Sequence, residues 1–128
     1  MGCVRVGRPA LTPIVVLGAT GSIGEQTLEV ADRLKRPIAA VATGTVSPAL
    51  AALADRYPAA RIAVATPPSA PIDPRLEARI VFGPDAVTAL AALPGTTVVN
   101  GVVGAAGLAP SLAALEAGNR LCLLYTSP

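Results

Sequence analysis

Three glycines spaced three residues apart, Gly18, Gly21 and Gly24, lie between a short β-branched run, Ile14-Val15-Val16-Leu17, and a stretch of helical periodicity that opens at Ile23. No other part of the chain restricts its fold as much. An apolar run that stops at a glycine is the pattern of a buried strand entering a tight turn. Apolar residues then return at Ile23, Leu28, Val30, Ala31 and Leu34, with Glu25, Glu29, Asp32 and Arg33 between them. This predicts an amphipathic helix that ends at Lys35-Arg36, ahead of Pro37. A phosphate held at a helix N-terminus needs backbone N–H groups aimed at it and no Cβ in the way. On that logic Gly18 makes the sharp turn, Gly21 lets a pyrophosphate approach the backbone, and Gly24 lets the helix pack close to the sheet. Thr20 and Ser22 add hydroxyl donors at the helix start. The plainer reading, a tight strand-to-helix turn and nothing more, stands beside this one. The position of the motif, after the first strand and opening the first helix, favours dinucleotide binding.

The same alternation continues. Strands are predicted over 38–43, 61–65, 79–82, 96–99 and 121–124, and helices over 49–56, from Gly83-Pro84-Asp85 to about 93, and 111–117. Ser47-Pro48 supplies an N-cap hydroxyl and a first-turn proline for the second helix. Residues 66–74 hold four prolines and read as an exposed, irregular loop. Strands alternating with helices at this spacing make a Rossmann-like α/β fold, a doubly wound parallel sheet in a single domain. The composition agrees, since 52% hydrophobic and only 14% charged residues suit a sheet covered on both faces.

Several function classes are disfavoured. Aromatics at 2% offer no platform for stacking bases, and a net charge of +2, with no basic block, does not track a nucleic-acid backbone. There is no histidine, and Cys3 and Cys122 sit near opposite ends of the chain, so neither a zinc site nor a disulfide framework is expected. The first residues carry Arg5 and Arg8 without an apolar h-region, which reads as a short leader on a cytoplasmic protein. The uncharged stretch between Asp85 and Glu116 is broken by glycines and prolines, against a membrane span.

Two further loops bear on cofactor choice. About 20 residues past the glycine motif, where an acid would bind the ribose 2′-OH of NAD, the chain reads Thr43-Gly44-Thr45-Val46. The missing carboxylate removes repulsion against a 2′-phosphate and favours NADP, with Lys35 and Arg36 as nearby positive charge or simply a solvated helix end. A glycine-rich loop, residues 100–107, follows the strand over 96–99. It contacts the middle or nicotinamide end of the dinucleotide, or is a packing loop where backbones run close.

Two blocks carry a resemblance: Leu17-Gly-Ala-Thr-Gly-Ser-Ile-Gly-Glu-Gln-Thr-Leu28, and Val98-Val-Asn-Gly-Val-Val-Gly-Ala-Ala-Gly-Leu-Ala-Pro-Ser-Leu-Ala-Ala-Leu-Glu-Ala-Gly118. Together they resemble the N-terminal, NADPH-binding domain of the 1-deoxy-D-xylulose 5-phosphate reductoisomerase family, enzymes of non-mevalonate isoprenoid biosynthesis. The resemblance implies that Thr20, Gly21, Ser22 and Ile23 contact the NADPH phosphates and that Gly44 sits by the adenosine ribose. It further implies a phosphorylated sugar substrate, Mg²⁺ or Mn²⁺ in the full-length enzyme, and a homodimer when complete. The family follows the glycine at 44 with Lys or Arg and then Asn, where this chain has Thr45 and Val46. After Leu121 the family reads Ala-Leu-Ala-Asn-Lys-Glu-Ser, whereas here Cys122-Leu-Leu-Tyr-Thr-Ser-Pro128 follows. The chain is therefore expected to divide into a leader (1–13), an NADPH-binding domain (14–121) and an aberrant tail (122–128), as a fragment inactive by itself. Neither a catalytic nor a metal-ligating residue is assigned within it. The alternatives are a stand-alone nucleotide-binding module or another GxTGxxG reductase. A short-chain dehydrogenase would need Tyr-x-x-x-Lys, but Tyr57 is followed by Arg61; a semialdehyde dehydrogenase would need a nucleophilic cysteine, which Cys122 does not supply.

Overall fold

The computed structural model describes residues 2–4, 12–102 and 104–123. Its strands are β1 (Gly2–Val4), β2 (Ile14–Leu17), β3 (Ile38–Thr43), β4 (Arg61–Val64), β5 (Ile80–Phe82), β6 (Thr97–Asn100) and β7 (Arg120–Leu123). Its helices are α1 (Ser22–Arg33), α2 (Pro48–Arg56), α3 (Pro74–Glu77), α4 (Pro84–Ala91) and α5 (Leu108–Glu116), with a 3₁₀ turn at Gly104–Gly107 before α5. The seven strands form one sheet in the order β1-β7-β6-β2-β3-β4-β5. Every pairing from β7 to β5 is parallel, and β1 alone runs antiparallel, against β7. The Rossmann-like, doubly wound sheet expected from the alternation is therefore present.

Strand side chains alternate between faces, and both faces are covered. Ile14 and Val16 of β2 join Val41, Leu28 of α1 and Leu50 of α2 on one side, while Val15 and Leu17 join Val98, Val87 of α4 and Leu121 on the other. All four residues of β2 are buried, which places this strand at the centre of the molecule. Removing Leu28, 1% exposed, by a change to alanine would cost about 2–5 kcal/mol through lost transfer energy and the cavity left behind.

Where elements differ from the sequence reading, the cause is visible. Helix α1 stops at Leu34 because Lys35 adopts φ 56, the left-handed turn usually given to glycine. Helix α3 forms at the end of the proline-rich loop because Asp73 Oδ1 accepts from the Arg75 N–H and Pro74 occupies the first turn. Helix α5 begins ahead of Ser111 since Pro110 falls in its first turn, where no intrahelical donor is required. Strand β1 lies inside the segment read as a leader. Its register sets Cys3 opposite Cys122, and Cys122 is disulfide-bonded. Cysteines far apart in sequence thus meet at one sheet edge, which spacing alone did not show. Residues 124–128 of the expected tail lie outside the described residues, as do 1 and 5–11 of the leader. Among the described residues no helix is long and apolar enough to cross a membrane.

Candidate functional site

From β2 the chain steps outward through β3, β4 and β5, then returns to the other side of β2 with β6 and β7. The winding therefore reverses between β2 and β6, and in an open parallel sheet ligands bind outside the carboxyl ends of the strands at such a point. Three connections leave the carboxyl ends here: 18–21 after β2, 44–47 after β3, and, after β6, the one that includes 101–102 and the 3₁₀ turn at Gly104–Gly107.

The first loop is held from below. Gly18 turns out of β2 at φ +79, and both Gly18 and Ala19 donate their N–H to Ala42 O of β3 at 2.9 Å. Gly24 is buried under this turn; a Cβ there would come within 2.2 Å of Gly18 O and 2.7 Å of Ala19 Cα, so the fold itself demands glycine. Gly21 is different. It caps α1 at φ −75 and ψ 166, extended backbone open to any residue, and a Cβ would meet only Gly18 O at an ordinary 3.4 Å. Gly21 and Ser22 are exposed, Thr20 and Ile23 half-buried, and no side chain caps this helix start. Its first N–H groups face the carboxyl edge of the sheet with the positive end of the helix dipole behind them.

After β3, the Thr43 hydroxyl donates to Thr45 O at 2.9 Å and fixes the turn, and exposed Gly44 has nothing within 4 Å of the place a Cβ would take. Gly18 and Gly44 line one crevice of about 400 Å³ together with Thr43, Ala65, Asp85 and Val102, within the size range of small-molecule sites. Of the expected residues, Thr20 lies apart from this crevice and lines a separate groove between α1 and α2. Ala65 and Asp85 were not singled out from sequence as site residues. Asp85 had been read as part of a helix start, and only the position of α4 brings it to the crevice.

The third loop is built around Asn100, 2% exposed. Its Oδ1 accepts from the Val102 N–H at 2.9 Å, and its Nδ2 donates to Gly107 O at 3.0 Å and to Ser111 Oγ at 2.8 Å. Gly107 is wedged as Gly24 is, with a Cβ position 2.5 Å from Val102 O. The loop is thus a packed structure that also offers Val102 to the crevice.

Of the two readings of Lys35 and Arg36, positive charge near the ribose or a helix end, the structure favours the helix end. Arg36 donates to Thr12 O, just ahead of β2, so it sits at the amino ends of the strands. The 12 residues of α1 separate it from the glycine loop by about 18 Å. Among the described residues no group of three His, Cys, Asp or Glu is placed to hold a metal ion.

The family model for 1-deoxy-D-xylulose 5-phosphate reductoisomerase matches residues 14–124. Among curated relatives, the Kitasatospora griseola enzyme of that name is 39% identical over 124 residues, covering 86% of this chain and 32% of the relative. That of Streptomyces coelicolor is 43% identical, with 86% and 29% covered. Among solved structures, the Zymomonas mobilis reductoisomerase in complex with NADPH superposes with a TM-score of 0.72 at 31% identity, covering 87% of this chain and 31% of that one. A DOX-P reductoisomerase in complex with magnesium gives 0.74 at 29%, covering 91% and 31%. The chain spans about a third of the length of the curated relatives it matches. With a glycine loop, a switch-point crevice and a family match over nearly all of its described core, the chain belongs to the 1-deoxy-D-xylulose 5-phosphate reductoisomerase family.

Proposed function

We propose that this chain is the NADPH-binding portion of a reductoisomerase, with the pyrophosphate on the start of α1 and the adenosine in the crevice beside Gly44. The observation that carries the reading is Gly21. Neither its dihedrals nor its surroundings require glycine, so a ligand approaching the helix start is the remaining physical reason for the missing side chain. In this arrangement Thr20, Gly21, Ser22 and Ile23 meet the phosphates, Gly18 forms the floor, and Gly24 holds α1 close enough for its N–H groups to reach them. Bound there, the cofactor supplies a hydride for reduction of the rearranged sugar phosphate.

The relatives include complexes with magnesium and with fosmidomycin. The described residues of this chain bring no three His, Cys, Asp or Glu side chains together to hold such a metal. The phosphorylated sugar substrate, the divalent metal and a homodimer are proposed for the complete enzyme on family grounds, as is a cytoplasmic location. Calorimetric titration of the purified chain with NADPH is expected to show one site per chain, and absence of binding overturns the reading. NADPH oxidation with 1-deoxy-D-xylulose 5-phosphate and Mn²⁺ is expected to show no turnover by this chain alone; metal-dependent turnover would show that the catalytic machinery is here after all.

A further inference from the structure

The crevice beside Gly44 has apolar walls, with Ala65 just past β4, Val87 on α4, Val102 after β6 and Pro110 in α5. Among the described residues its polar side chains are Thr43, Asp85 and Thr88, and the Thr43 hydroxyl is already committed to Thr45 O at 2.9 Å. That leaves a carboxylate and a hydroxyl, both on α4. Asp85 lies in the first turn of the helix and Thr88 three residues later, a spacing that puts the two on one face. Gly83, at φ +115, makes the turn out of β5 that brings this face to the crevice. An apolar slot edged by one carboxylate and one hydroxyl suits a flat aromatic base that presents a hydrogen-bond donor beside an acceptor.

We infer that Asp85 selects the base of the cofactor: its carboxylate accepts from the exocyclic amine of adenine while the Thr88 hydroxyl donates to the adjacent ring nitrogen, so the crevice prefers adenine to a 6-oxo purine. The inference rests on the dinucleotide reading above and deepens it. A carboxylate only accepts hydrogen bonds, whereas a hydroxyl also donates. Adenine sets its amine donor beside a ring-nitrogen acceptor, and a 6-oxo purine puts an oxygen acceptor where that donor was. Oxygen against carboxylate leaves two acceptors facing each other with no proton between them. The apolar walls hold either base alike, so the discrimination falls to the polar edge. Asp85 is exposed, and competition from water keeps the selection moderate.

The experiment titrates NADPH and its 6-oxo analogue, reduced nicotinamide hypoxanthine dinucleotide phosphate, into the purified chain, Asp85→Asn and Asp85→Ala. The two ligands share ribose, phosphates and nicotinamide, so any effect of residue 85 on the phosphates cancels in the ratio of their affinities. The parent is expected to bind NADPH about tenfold more tightly than the analogue. Both variants are expected to weaken NADPH and to bring the two ligands within about twofold, asparagine because its amide both donates and accepts, alanine because it does neither. A parent that binds the two ligands equally, or variants that keep the parent's ratio, overturns the inference and leaves the binding assignment intact. A parent that binds neither ligand overturns the assignment itself. A variant that melts with the parent yet binds neither ligand also overturns the inference, since residue 85 would then matter to more than the base. Should one variant melt early, the parent's ratio and the other variant still decide.

Discussion

The loops after β2 and β6 are both glycine-rich, both leave the carboxyl edge of the sheet, and both lead into a helix, yet their polar groups are spent differently. In the loop after β6, one buried side chain, Asn100, takes up a backbone N–H, a carbonyl and a hydroxyl, so the loop is satisfied from within. In the loop after β2, no side chain caps α1, and Gly21 and Ser22 stand exposed at its start. In each loop packing demands glycine, most severely at Gly107 in one and at Gly24 in the other. Among the described glycines of known surroundings, the β2 loop adds an exposed one, Gly21, that packing does not demand. A glycine-rich motif is therefore two kinds of residue in one pattern: some glycines hold the backbone together, and others leave room for something that is not protein.

The largest effect expected from breaking this distinction is at Gly24. A methyl there would sit 2.2 Å from a backbone oxygen that cannot rotate away, so α1 must shift off the sheet. Gly24→Ala is expected to cost about 3 kcal/mol, at the upper end of overpacking penalties, and to lower the thermal midpoint accordingly. A calorimetric scan checks it, and an unchanged midpoint would show that α1 has more freedom than the packing implies. Next comes Asn100→Ala, which leaves the buried Gly107 O and the part-buried Val102 N–H without their partner. It is expected to cost about 2 kcal/mol and to loosen the loop after β6, detectable as faster amide exchange at Val102 than in the parent.

How far the molecule could be read without coordinates follows the range of the interactions. Strand β3, the Ser47 cap and the glycine motif rest on neighbours in sequence, and the structure places them where local pattern does: β3 spans Ile38–Thr43, and Ser47 Oγ accepts from the Leu50 N–H at 3.2 Å. Strand β1 is fixed by pairing with residues more than a hundred positions away, for which a three-residue segment carries no local signal. Lys35 and Arg36 read from sequence either as charge near the cofactor or as a helix end, and only the 12 residues of α1 decide it, by carrying them to the opposite edge of the sheet. Asp85 was legible as part of a helix start and not as part of the crevice, because its neighbours Gly44 and Ala65 arrive from other strands. The site was thus readable where one loop forms it and unreadable where several elements converge.

The smallest expected change in stability is at Gly21, and it sharpens the comparison most. Valine is at home in extended backbone near φ −75 and ψ 166, and its Cβ would lie 3.4 Å from Gly18 O, an ordinary contact. The cost to folding is expected to stay below about 1 kcal/mol, that of a poor cap replacing a neutral one. Its isopropyl group would stand over the N–H groups of Ser22 and Ile23, the ones a pyrophosphate must reach, and would close that approach. Gly21→Val is therefore expected to fold as the parent does and to lose NADPH binding by calorimetry, the reverse of Asn100→Ala, which is expected to lose stability first. If Gly21→Val binds NADPH as tightly as the parent, the open start of α1 is not a phosphate site, and the contrast between the two loops is one of packing alone.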